Sequence, residues 1–239
     1  VIVTAMLSWY DEPPELLREA IEGAAVLADR VVAADGAFSL LDDAKPESEL
    51  SQEHAIITEA ERWGLDVEFL PPRIYKGQIG KRNALLKHAT RPTLKADWDS
   101  NWVFPLDADW KIVGDRSAIR SELAMLHGKG FEQVSVPFME PLNPEFGVRL
   151  AVDRIPLIMR AMPGMQIEQA HWIYSGLRRG ERVGLWGGDA LYPPAKTAEL
   201  QAPLLIQNRL YFRDAYRLER SQGYAKRVAE YVSEHGAEP

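Results

Sequence analysis

The chain has 239 residues, 46% of them hydrophobic, and a formal net charge of −7, which suits one compact domain or a core carrying a smaller appended region. The acidic balance argues against a protein that coats nucleic acid by bulk electrostatics. The lack of cysteine excludes disulfides and thiolate metal sites, so any metal must be held by oxygen or imidazole, which selects hard ions such as Mg²⁺ or Mn²⁺.

Val1 to Leu7 is a short apolar run rich in β-branched residues and reads as a strand buried on both faces. It is too short to span a membrane and lacks the basic flank and cleavage site of a secretory signal. A cytoplasmic protein with no stable membrane insertion is therefore expected. A helix follows: Asp11 can cap it, Pro13 and Pro14 fit its first turn, and Leu16, Leu17, Ala20, Ile21, Ala24 and Ala25 recur at helical spacing. Arg30 to Asp35 reads as the second strand. Charges, serines and Pro46 break any period from Gly36 to about Leu50, predicting a loop. A second helix, capped by Ser51 and ended by Gly64, leads to a third strand at Val67 to Leu70. Lys81 to Ala89 reads as a helix, and Trp102 to Leu106 as a strand running into Asp107-Ala108-Asp109. Pro105 removes an N–H from that strand and predicts a local bulge. Arg116 to His127 is helical and Val134 to Phe138 resumes strand character. Residues 140 to 205 hold many Pro and Gly, and an amphipathic helix is expected over Ile206 to Val232.

Strands alternating with helices at this spacing predict βαβ units with right-handed crossovers, hence an α/β, Rossmann-like three-layer sandwich around a mostly parallel sheet. The expected organisation is an α/β core over 1–139 and an irregular region with the C-terminal helix over 140–239. Ligands of such sheets bind beyond the carboxyl ends of the strands, where Asp35 and Asp107 both fall.

Asp107 and Asp109 are two apart, so in extended backbone their carboxylates project to one side and can address one cation. Such a pair suits a divalent ion that is completed by substrate phosphates and water. Asp35 stands where an acidic residue can accept hydrogen bonds from a ribose or a base. Lys81, Arg82 and Asn83 open a helix after Gly77 and Gly80. Cations there oppose the macrodipole, which is easier to explain if they meet phosphate.

In order and spacing these segments resemble the family 2 glycosyltransferases and their GT-A relatives, over most of residues 1 to 175. Tyr10-Asp11-Glu12 resembles the acidic loop after their first strand, and Ala34-Asp35-Gly36 the aspartate that contacts the nucleoside. Gly77 to Leu85, with Arg82-Asn83 inside it, is similar to their Gly-x-x-x-x-Arg-Asn segment, and Phe104 to Trp110 to the strand carrying the metal-binding DxD motif. Arg154 to His171 resembles a segment in which a histidine completes the metal shell, which makes His171 the third candidate ligand, although Trp172 stands where these members often have Glu. The resemblance implies a GT-A fold and transfer of a sugar from a nucleotide-sugar donor, by analogy a UDP-sugar, to a hydroxyl. Inversion is the expected course. It requires a carboxylate near the acceptor hydroxyl; Glu168 and Asp189 are the candidates, with Glu140 and Asp153 behind them. The acceptor is a saccharide, a protein, a lipid carrier or a modified DNA base.

Two further groups of residues qualify as binding surfaces. Trp172, Tyr174, Trp186 and Tyr192 offer rings for stacking on a sugar or base. Arg209, Arg213, Arg217 and Arg220 recur at helical spacing and form a basic face that suits an anionic acceptor or a membrane surface. A sugar-phosphate nucleotidyltransferase has the same architecture, but its Gly-rich, Arg-containing loop is absent where the chain reads Ser8-Trp9-Tyr10-Asp11-Glu12. A haloacid-dehalogenase-like phosphatase carries its Asp-x-Asp earlier in the chain. A catalytically silent nucleotide-sugar or carbohydrate-binding module is the remaining alternative.

Overall fold

The computed structural model describes residues 1–91, 101–141, 150–209 and 215–239. In chain order the elements are β1 (Val3–Ser8), α1 (Pro14–Leu27), β2 (Arg30–Ala34), α2 (Leu50–Trp63), β3 (Asp66–Phe69), α3 (Gln78–Ala89), β4 (Trp102–Asp107), β5 (Trp110–Gly114), α4 (Arg116–Gly128), β6 (Gln133–Pro141), β7 (Leu150–Arg160), β8 (Gln166–Ile167), β9 (Tyr174–Arg178), β10 (Glu181–Gly184), β11 (Thr197–Glu199), β12 (Leu204–Asn208) and α5 (Ala215–His235). The main sheet has the order β3-β2-β1-β4-β7-β6-β12-β5, with β11 alongside β6. Strands β3, β2, β1 and β4 are mutually parallel. Antiparallel pairing enters with β7, which joins β4 to β6, and with β5 beside β12. This is the α/β, mostly parallel architecture expected from the sequence, with α5 as the last helix.

Its layers follow from the two-residue period of the strands. On β1, Val3, Ala5 and Leu7 join one buried cluster with Leu17 and Ile21 of α1, Ile56 of α2 and Leu123 of α4. Met6 points the other way, into a cluster with Leu85 and Leu86 of α3. Strands β2 and β4 alternate in the same way: Val31, Ala33, Trp102, Phe104 and Leu106 face α1, while Val32, Ala34 and Val103 face α3. Against the α3 face lies a small antiparallel sheet, β10-β9-β8, which contributes Ile167, Tyr174 and Val183 to that cluster.

Several local expectations change. Asp11 does not cap α1, whose N-cap is Pro13; it sits instead in the left-handed region with φ 50°. The cap of α2 is Glu49, ahead of Ser51. Ile206 begins no helix, because Leu204–Asn208 is inserted between β6 and β5 as a sheet strand, and α5 starts at Ala215. Pro105 causes no bulge. The β4–β7 pairing covers only Trp102 and Val103, so it ends before a donor at Pro105 is needed, and Pro105 stays in register with Met6 of β1. The register shift occurs on β6 instead, between Val134 and Val136. Among the described residues no helix is long and apolar enough to cross a membrane.

Candidate active site

In register, Ser8 of β1 lies opposite Ala34 of β2 and Asp107 of β4, so three parallel strands run out at one edge of the sheet. A cavity of about 260 Å³ opens there, lined by Ser8, Trp9, Glu12, Lys81, Arg82, Asp107 and Asp109 from the sheet side. His171 and the α5 residues Arg217, Arg220, Ser221 and Tyr224 also line it. Its volume falls just below the range of about 300–1,000 Å³ common for small-molecule sites. Trp9 brings a donor with it: its indole Nε1 is buried with no acceptor among the described residues.

Asp107 ends β4 and is oriented by Arg82, whose Nη2 donates to both carboxylate oxygens, at 2.8 and 2.9 Å. Burial alone would weaken the guanidinium's hold on its proton, but Asp107, with Tyr174 alongside, outweighs it and drives the pKa further up. Asp109 follows at the turn into β5 and is only 5% exposed. Its carbonyl accepts from the Arg209 N–H at 2.9 Å, which pins the turn to the end of β12.

Lys81 lines the same cavity yet is 1% exposed, and its Nζ donates to the carbonyls of Trp9 and, at 2.8 Å, Gly36. It therefore ties together the segments leaving β1 and β2. Burial pulls its pKa down to about 7, against the raising pull of Asp35, Asp107 and Glu12. The sign follows by linkage. Between about pH 7 and the ordinary lysine range the unfolded chain holds a proton that the folded chain has released, so stability contributed at this site rises with pH. The stability difference between wild type and Lys81→Met is expected to grow in favour of wild type from pH 7 to pH 10, read from parallel chemical denaturation curves.

Other predicted residues serve the frame. The Asp35 carboxylate accepts from the Gly36 N–H (2.6 Å), the Ser48 hydroxyl (2.7 Å) and the Ser48 N–H (2.5 Å), closing the loop from Gly36 to Ser48. Gly36 itself has φ 112°, and an added Cβ would lie 2.0 Å from the Arg73 carbonyl, so only glycine fits that turn. Asn83 turns away from the cavity: its amide donates to the Ile167 carbonyl at 3.0 Å and its oxygen accepts the Ile167 N–H at 2.8 Å, a strand-like pairing that fastens β8 to α3. Glu12 is buried at the cavity wall, with its N–H on Gln52. Asp11 pairs with Arg220 and Arg217 of α5.

Glu168 does not line the cavity. Burial raises its pKa, but hydrogen bonds from Tyr192, Gln166 and Ser175 outweigh that and hold it below the usual glutamate value, so its acceptors are already used. Asp189 is exposed on the short 3₁₀ turn Gly188–Ala190, and the preceding Gly187 lies against the backbone of Trp172. Glu140 and Asp153 are exposed on the β6–β7 pair. His171 reaches the cavity with its Nδ1 3.2 Å from Glu238 Oε1 and its ring edge-on to Trp172. Tyr174 is buried and stacks on Trp186, Tyr192 is bonded to Glu168, and Trp172 alone of the four rings is well exposed.

Among the described residues the basic face predicted around α5 does not form an outer patch. Arg209 pairs with Glu19, while Arg217 and Arg220 turn inward; Arg213 lies outside the described residues. Sequence reasoning missed the α5 wall, including Tyr224, which stacks on Phe38 at 4.8 Å. The only signal for it was the helical spacing of those arginines.

No family model matches the chain, and no curated protein matches it. Among solved structures, S. aureus TarS, a glycosyltransferase, aligns at 16% identity with a TM-score of 0.35, over 60% of this chain and 22% of that one. The chain thus spans less than a quarter of the length of TarS. What the cavity can do is read from its own side chains.

Proposed function

We propose that the chain is a nucleotide-sugar-dependent glycosyltransferase, with the donor diphosphate at the cavity and Asp107 and Asp109 as the ligands of a Mg²⁺ or Mn²⁺ ion. The observation that carries this reading is that both aspartates line one cavity, with His171 also lining it, at the carboxyl ends of parallel strands. The donor set fits such an ion. Among the described residues no three acidic or imidazole groups stand close enough to form a protein cage. An ion bound by one or two carboxylates and completed by substrate phosphates needs none.

When bound, the ion would neutralise charge growing on the departing diphosphate. Arg82 holds the Asp107 carboxylate in one orientation, and Lys81 fixes the backbone that forms the cavity floor. The acceptor oxygen attacks the anomeric carbon, the bond from that carbon to the diphosphate breaks, and the hydroxyl proton passes to a carboxylate. Asp189 is the better candidate base, because Glu168 already accepts three hydrogen bonds, while the turn that carries Asp189 begins at Gly187, which lies against Trp172, next to His171. A UDP-sugar is the donor this reading favours.

A thermal-shift panel of nucleoside diphosphates, with and without Mn²⁺, tests the pocket. At a hundredfold excess over Kd a ligand bound only by the folded state adds about 2.7 kcal/mol, worth several degrees at about 2–4 °C per kcal/mol. One nucleotide is expected to give that shift only with Mn²⁺ present, and release of nucleoside diphosphate from its sugar donor separates an enzyme from a silent binding module. A flat panel overturns the assignment.

A further inference from the structure

The sheet side of the cavity carries three carboxylates, Glu12, Asp107 and Asp109, and a diphosphate entering there meets like charge. The two cations on the same side are committed elsewhere: Arg82 to Asp107, and Lys81 to two backbone carbonyls. The other arginines at the cavity come from α5. Arg217 and Arg220 of α5 both line the cavity, with side chains 21% and 13% exposed.

Their present contacts hold them as a pair. Arg220 Nη1 donates to Asp11 Oδ2 at 2.5 Å and its Nη2 to the Tyr10 carbonyl at 3.1 Å. Arg217 Nε donates to the Asp11 carbonyl at 2.6 Å. The Arg220 guanidinium also stands over the rings of Tyr10 and Tyr216, at 5.3 and 5.7 Å from their centroids, which restricts it further. Two guanidinium groups that converge on the same residue, Asp11, at the cavity wall suit the oxygens of a diphosphate, for which arginine is fitted by its fork of donors.

We propose that Arg217 and Arg220 are the diphosphate-binding residues of this cavity, and that Asp11 is their counter-charge and does not touch the ligand. The C-terminal helix is then a working wall of the site, and its arginines serve the donor and not an outer polyanion. This rests on the nucleotide-sugar reading above.

The test is calorimetric titration of the whole chain with UDP and, separately, with inorganic pyrophosphate, both in Mn²⁺. The variants are Arg217→Gln/Arg220→Gln and Asp11→Asn. Each removes the charge pairing between α5 and Asp11, so both are expected to lower the melting temperature. Only the arginine variant is expected to weaken both ligands, by tenfold or more, while Asp11→Asn binds at least as tightly as wild type. Wild-type binding retained in the arginine variant overturns the proposal and leaves the pocket reading standing. So does an equal loss of affinity in Asp11→Asn, since the arginines would then act only by docking the helix. If wild type binds neither ligand, the pocket reading falls and takes the proposal with it. Should the double variant fail to fold, Arg220→Lys keeps a cation opposite Asp11 but loses the fork; a threefold or greater loss of pyrophosphate affinity supports the proposal, and wild-type affinity overturns it.

Discussion

Nucleoside diphosphate release from the sugar donor is expected to fall by on the order of a hundredfold or more in Asp109→Asn, with the fold retained. Loss of several kcal/mol of stabilisation of a developing charge corresponds to two or three powers of ten in rate, at about 1.36 kcal/mol per tenfold. The substitution is isosteric, and the backbone bond from Arg209 to the Asp109 carbonyl is untouched by it. Single-turnover measurement with saturating Mn²⁺ and donor checks the rate, and circular dichroism checks the fold. A folded variant that turns over near the wild-type rate removes Asp109 from the site.

Asp107→Asn is expected to fail twice, in turnover and in stability. Arg82 is buried and aims one guanidinium nitrogen at both oxygens of Asp107, so removing the carboxylate charge leaves a cation with no counter-charge. Breaking a fully buried pair costs about 3–5 kcal/mol. Here the Asp107 side chain is 31% exposed, and screening by water brings the expectation to about 2–3 kcal/mol. Adding Arg82→Met to Asp107→Asn removes the stranded charge, so the double variant is expected to recover part of that loss without recovering turnover. Urea denaturation of the two single variants and the double variant gives the coupling. An additive double variant would show that the pair contributes nothing through its charge.

The order of the first strands and helices was legible because Val3 to Leu7 and Trp102 to Leu106 are continuous apolar runs of the kind that strands buried on both faces need, while Leu16 to Ala25 keep the helical period. What failed to show was pairing between distant segments. Leu204–Asn208 has the composition of many short apolar runs, and only its partners β5 and β6 make it a strand. At the site, the strand-end rule brought Asp107 and Asp109 to the cavity wall. It did not foresee where side chains near that edge would find partners. Asp35 had Ser48 within reach once the intervening loop closed, and Asn83 found the open backbone of Ile167, 84 positions away. A basic face at helical spacing looks the same in sequence whether it meets solvent or a carboxylate, and Asp11 decided the matter for Arg217 and Arg220.

The contact between Asp11 and Arg220 joins residues 209 positions apart. Contacts of that separation form only after the loop between them has been closed, and topologies rich in them fold slowly. The acidic half of the cavity is therefore expected to assemble with the sheet, and the arginine-bearing half at a later kinetic step. Refolding followed by far-ultraviolet circular dichroism, which reports the helices and sheet, should run ahead of the regain of ligand binding.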